Sequence, residues 1–132
     1  MRIVIDTNVL VSAFLTPGGK PSTILKLALR GDFEICVSTA ILAEYEQVLT
    51  RPKFAGKIHS QNIKRFIEIM DSLGLNIVSK PSNMILPDEA DRKFYDTAVA
   101  ADAILITGNK KHYPHEPFIL DPAEFLDLVI RN

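Results

Sequence analysis

The chain has one cysteine, three histidines and a net charge of only −1. A single cysteine excludes an intramolecular disulfide, and the setting of Cys36, FEICVS, reads as a buried strand holding an inert core thiol. His59, His112 and His115 lack a zinc spacing, and one thiol cannot complete a ligand set. The near-zero net charge provides no general field for nucleic acid, so any such binding needs a local basic patch. No apolar run reaches the length of a membrane span. The start does not read as a signal peptide either, because Asp6 interrupts the apolar stretch. A soluble, cytoplasmic protein with no membrane partner is therefore expected. Three phosphate and acyl-transfer signatures are also missing: the GxxxxGK(S/T) loop, the GxGxxG fingerprint and the GxSxG elbow.

What is present suits one globular domain, 1–132, with a hydrophobic share of 47% that argues against disorder. The β-branched run IVI at 3–5 reads as a buried strand, followed by the helical pattern VLVSAFL. TPGGKPS at 16–22 is a breaker, STILKLALR a helix stopped by Gly31, and FEICV at 33–37 a second strand. Ser38 or Thr39 caps the helix TAILAEYEQVLTR, which Pro52 ends. Ile63, Phe66, Ile67 and Met70 form a core stripe on a helix closed by Gly74. LNIV at 75–78 is a third strand, followed by a Pro-rich connection, KPSNMILPDEAD. The helix ADRKFYDTAVAADA leads to a fourth strand, AILIT at 103–107. After the polar, basic loop GNKKHYPHEP come a short fifth strand, FIL, and a closing helix, DPAEFLDLVIRN, with Pro122 in its first turn. Strands alternating with helices imply a three-layer α/β/α domain with a mainly parallel central sheet of four to five strands.

In such a sheet, ligands bind beyond the carboxyl ends of the strands. Asp6 follows the first strand directly, Glu44 sits in the second turn of the helix after strand two, Asp91 starts the helix before strand four, and Asn109 follows strand four. At about 100° per residue, Asp91 shares the core-facing stripe of Phe94, Tyr95 and Ala98, whereas Asp96 falls about 140° away. Each residue has an ordinary reading. Asp6 is a potential helix cap, Glu44 a solvated helix charge, Asp91 a first-turn acid and Asn109 a turn residue. Their convergence supports a different reading, because three carboxylates brought together need a cation to stay ionised. Hard divalent ions such as Mg²⁺ or Mn²⁺ take oxygen cages of this kind, and metal with carboxylates suits phosphodiester hydrolysis.

The segments IVIDTNVLVSAF, STAILAEYEQVL and DRKFYDTAVAADAILITGNKKHYP together resemble the PIN-domain family over essentially the whole chain. The resemblance implies a metal-dependent ribonuclease fold. It also implies the toxin role of many small members, each held inactive by a cognate antitoxin and often dimeric. Asp6, Glu44 and Asp91 match the three core acids, with Mg²⁺ or Mn²⁺ as cofactor. Asn109, in TGN, stands where many members have a fourth acid; it keeps an oxygen but removes a charge. Asp96 is the residue able to restore that charge, against the helical-wheel argument. Thr7 and Asn8 complete the opening motif, where they would orient Asp6 or the metal's water. Lys110, Lys111, His112 and Tyr113 are expected at the same rim, to hold a phosphate backbone or stack a base, or else as a solvated loop. Arg51, Lys53, Lys57, Lys64 and Arg65 would extend the stripe. The alternatives are a DNA- or structure-specific nuclease, and a non-catalytic nucleic-acid-binding module with a degenerate metal site.

Overall fold

The computed structural model describes residues 1–131. Five strands form one all-parallel sheet in the order β3-β2-β1-β4-β5. They are β1 (Arg2–Ile5), β2 (Glu34–Val37), β3 (Leu75–Asn76), β4 (Ile104–Ile106) and β5 (Ile119–Leu120). Six helices connect and cover them: α1 (Thr7–Leu15), α2 (Lys20–Leu29), α3 (Thr39–Leu49), α4 (Ser60–Leu73), α5 (Arg92–Ala101) and α6 (Pro122–Arg131). Asn132, the last residue of the expected closing helix, lies outside the described residues. None of these helices is long and apolar enough to cross a membrane.

The central strand shows why the domain has three layers. Consecutive side chains of a strand point to opposite faces. Ile3, Val4 and Ile5 are all buried, at 0%, 0% and 3% exposure, so both faces of the sheet are covered. α1 packs on α2 and α3, α2 on α6, and α3 on α4 and α5. Edge-to-face contacts between Phe14 and Phe66 (5.2 Å) and between Phe33 and Phe125 (5.1 Å) join elements distant in sequence. Cys36 is wholly buried, and burial pushes its thiol pKa up, as suits an unreactive core residue.

Several boundaries differ from the sequence expectation by a residue or two, and two of the differences have a clear local cause. α2 begins at Lys20, so Lys20 and Pro21 belong to its first turn, not to the breaker. Proline is tolerated there because the first turn has no intrahelical partner for its missing N–H. β3 has two residues, not the expected four. Ile77 still donates its N–H to Val37 O at 2.8 Å, but β2 ends there and α3 starts at Thr39, leaving Val78 no strand to pair with. Val78 is accordingly 96% exposed.

The strand order has one topological switch. The chain builds outward from β1 through β2 to β3, then crosses to the other side for β4 and β5. The crevice between β1 and β4, at their carboxyl ends, is where such sheets hold ligands. Asp6 sits at that point and donates its backbone N–H to Ile106 O at 3.0 Å.

Candidate active site

Asp6, the residue after β1, is 5% exposed and doubles as the N-cap of α1: its Oδ1 accepts the Asn8 N–H at 3.3 Å. Its Oδ2 accepts two more bonds, each 2.9 Å long, from Thr107 Oγ1 and Tyr113 OH. Capping and cleft roles therefore coexist in one carboxylate. Tyr113 itself is 6% exposed, and burial, with Asp6 and Asp91 nearby, pushes its phenol pKa far up. It stays a proton donor and is too deeply buried to stack a base, which corrects its expected place on the rim.

Glu44 reaches the cleft from α3, which Ser38 caps through the Ile41 N–H. The neighbouring Tyr45 fixes that helix over the sheet by donating its hydroxyl to Ile5 O. Glu44 Oε2 accepts from Thr7 Oγ1, and Oε1 accepts from Lys93 Nζ at 2.6 Å. Thr7 thus orients Glu44, not Asp6, while Asn8 serves Asp6 through its backbone.

Asp91 ends a 3-10 turn (Glu89–Asp91) that runs into α5. Its side chain is 15% exposed, and Oδ2 is buried with no hydrogen-bond partner. His112 Nδ1 stands 3.3 Å from that oxygen, close enough for charge attraction. Desolvation raises the Asp91 carboxyl most, followed by repulsion from Asp6, Asp88 and Glu44; His112 offsets part of it, and the result is a pKa of about 6.

Asp6, Glu44 and Asp91 line one cleft of about 350 Å³ with Asp88, Arg51 and His112. A mostly apolar cavity of about 320 Å³ lies at the opposite end of the sheet, beside Leu29, Phe33 and Leu73, and carries no such chemistry.

Asn109 and Asp96 are not brought to the three acids. Asn109 lines a neighbouring depression shared with Asn8, and its Nδ2 lies 2.9 Å from His112 Nε2. Asp96 is buried behind α5, where Oδ2 accepts the Ser82 N–H at 3.1 Å. Arg92 grips the same segment, donating to Ser82 O and Met84 O, so this pair fastens the Pro-rich connection to α5. Among the rim cations, Lys110 is turned to Glu124 at 2.8 Å, Lys111 is exposed and His112 enters the cleft. Arg51 lines the cleft; Lys53 lies over Phe54, and Arg65 borders a separate depression on α4.

A family model described as PIN domain matches residues 2–111. The chain belongs to the PIN-domain family. An uncharacterised protein of Methanocaldococcus jannaschii is 32% identical over 111 residues, covering 83% of this chain and 72% of its own. The crystal structure of VapBC2 from Rickettsia felis, bound to a DNA fragment from their promoter, contains a chain of the same fold. It matches with a TM-score of 0.58 and 20% identity, over 92% of this chain and 98% of its own.

PIN nucleases generally use divalent metal ions. The donor set fits one: three carboxylates, one with an oxygen buried without a hydrogen-bond partner, on a carboxyl raised to about 6 chiefly by desolvation and then by its acidic neighbours. Among the described residues, no three acid, histidine or cysteine side chains are already drawn together at metal-cage spacing. Glu44 is held back by Lys93, and Asp6 by Thr107 and Tyr113.

Sequence reasoning missed Thr107, Tyr45 and Lys93. Thr107 was findable, because a hydroxyl at the end of the strand paired with β1 must lie beside Asp6. Lys93 and Tyr45 left no signal beyond their proximity to the acids in sequence.

Proposed function

We propose that this PIN domain is a Mg²⁺- or Mn²⁺-dependent endoribonuclease, the toxin of a toxin–antitoxin pair restrained by a cognate antitoxin. The observation that carries the chemistry is the convergence of Asp6, Glu44 and Asp91 in one cleft, with an Asp91 oxygen buried and unpartnered. The likeness to the VapBC2 chain supports the toxin role. Asp6, Glu44 and Asp91 would hold the divalent ion, which would supply an activated water and offset charge on the phosphate.

The chain's own residues do the positioning. Thr107, Tyr113 and the Asn8 N–H fix both oxygens of Asp6, and Thr7 and Lys93 fix both oxygens of Glu44. Arg51 and His112 line the cleft, and Lys111, next to His112 in the chain, is exposed, so polar and basic groups are at hand where a phosphate backbone would lie. Asn109 orients the His112 ring and does not stand in for a fourth acid.

The test is cleavage of labelled RNA and of DNA of matching sequence, with and without EDTA, by wild type and Asp6→Asn. Metal-dependent RNA cleavage lost in Asp6→Asn is expected. Equal cleavage in every sample refutes the assignment. Preference for DNA moves the substrate class, and no cleavage of either leaves a non-catalytic module.

A further inference from the structure

Lys93 is in an unusual place for a cation. It lies in the first turn of α5, where the helix dipole favours negative charge. Its ammonium is nevertheless tightly held: 2.6 Å from Glu44 Oε1, 2.5 Å from Ala90 O, and 5.5 Å from the centre of the Phe94 ring. Its side chain is 25% exposed, so the ion pair lies partly out of solvent, where screening is weaker.

We infer that Lys93 is a built-in counter-cation that limits the centre to a single divalent ion. The inference rests on the metal-dependent reading above and adds the number of ions. The charge balance gives the reason. Asp6, Glu44, Asp91 and Asp88 line the cleft with four carboxylates, and Arg51 lines it with one cation. Lys93 adds a second cation through Glu44. The two negative charges that remain equal the charge of one divalent ion, and a second ion would leave the site positive by two.

The hydrogen bonds point the same way. Both oxygens of Glu44 are already engaged, by Lys93 and by Thr7. In the cleft, the buried oxygen without a hydrogen-bond partner belongs to Asp91, with His112 Nδ1 3.3 Å away. Demand for a cation is therefore concentrated on the Asp91 side of the cleft, while the Glu44 side already holds its positive charge. Lys93 also bridges α5 to α3, so it sets the separation of the two helices that carry Asp91 and Glu44.

The experiment is a Mn²⁺ titration by calorimetry and electron paramagnetic resonance on the intact chain. Wild type is compared with Lys93→Gln, Lys93→Met and Lys93→Arg. Only ions whose binding Asp91→Asn abolishes are counted, and circular dichroism confirms that each variant is folded. Wild type and Lys93→Arg are expected to take up one Mn²⁺ per chain, and the neutral variants two. One ion in the folded neutral variants overturns the inference, as do two ions in wild type. No Mn²⁺ in wild type overturns the metal-dependent reading itself, which is a separate result.

Discussion

Asp91→Asn should stabilise the protein when no metal is present. The Asp91 carboxyl rises from 3.8 to about 6, chiefly by desolvation and then by repulsion from Asp6, Asp88 and Glu44. Between those two values the folded chain keeps a proton that the unfolded chain has released. Unfolding therefore releases a proton, and stability falls as pH rises through this window. Below pH 3.8 both states are protonated and no penalty applies. Above about 6 the penalty is complete. A rise of roughly two pH units, at about 1.4 kcal/mol each, caps it near 3 kcal/mol. The cleft is open to water, which screens the repulsion and leaves roughly 1.5–3 kcal/mol. At about 4 °C per kcal/mol for a domain of this size, the neutral amide should raise the melting temperature by about 6–12 °C at pH 7. The assay is a thermal melt in EDTA at steps from pH 4 to 8, for wild type and Asp91→Asn. The two curves should meet at low pH and separate between pH 4 and 6. Saturating Mn²⁺ should reverse the order at pH 7, because ion binding stabilises only the chain that retains the carboxylate. An Asp91→Asn protein that melts below wild type at pH 7 in EDTA would refute the reasoning.

Tyr113→Phe keeps the ring and removes the hydroxyl that donates to Asp6; losing a buried hydrogen bond to a charged group should cost about 1.5–3 kcal/mol in urea unfolding. Gly74→Ala places a Cβ 2.5 Å from Met70 O and 3.0 Å from Val37 Cγ2 at the close of α4, so it should lose about 1–3 kcal/mol by overpacking, read as a lower urea midpoint.

The sheet was legible because its strands are short, β-branched and separated by clear stops, as in IVI and FEICV. Asp6, Glu44 and Asp91 were legible because an α/β fold of this kind sends its post-strand segments to one end, and a helical wheel turns Asp91 inward. The same wheel turned Asp96 away, and the structure puts that carboxylate on Ser82 instead. What escaped depends on contacts between residues far apart in the chain. Tyr113 sits in a polar loop, NKKHYP, and looks solvated until Asp6, from the first strand, claims its hydroxyl. Lys93 looks like one more helical surface charge until α3 delivers Glu44 to it. Asn109 looks like a weakened acid, yet its side-chain amide lies against a histidine ring.

The pairing of Asp6 with Thr107 and Tyr113 spans 101 and 107 positions of the chain. A ribosome makes Asp6 long before Tyr113. Contacts of such long range cost loop-closure entropy before they return any stability, and they form late. Until β4 and the segment behind it emerge, β1 lacks one of its two neighbours and Asp6 lacks two of its three donors. The acidic centre thus assembles only after β4 and Tyr113 have emerged. A chain that stops short of them carries the acids without the arrangement that makes them a site.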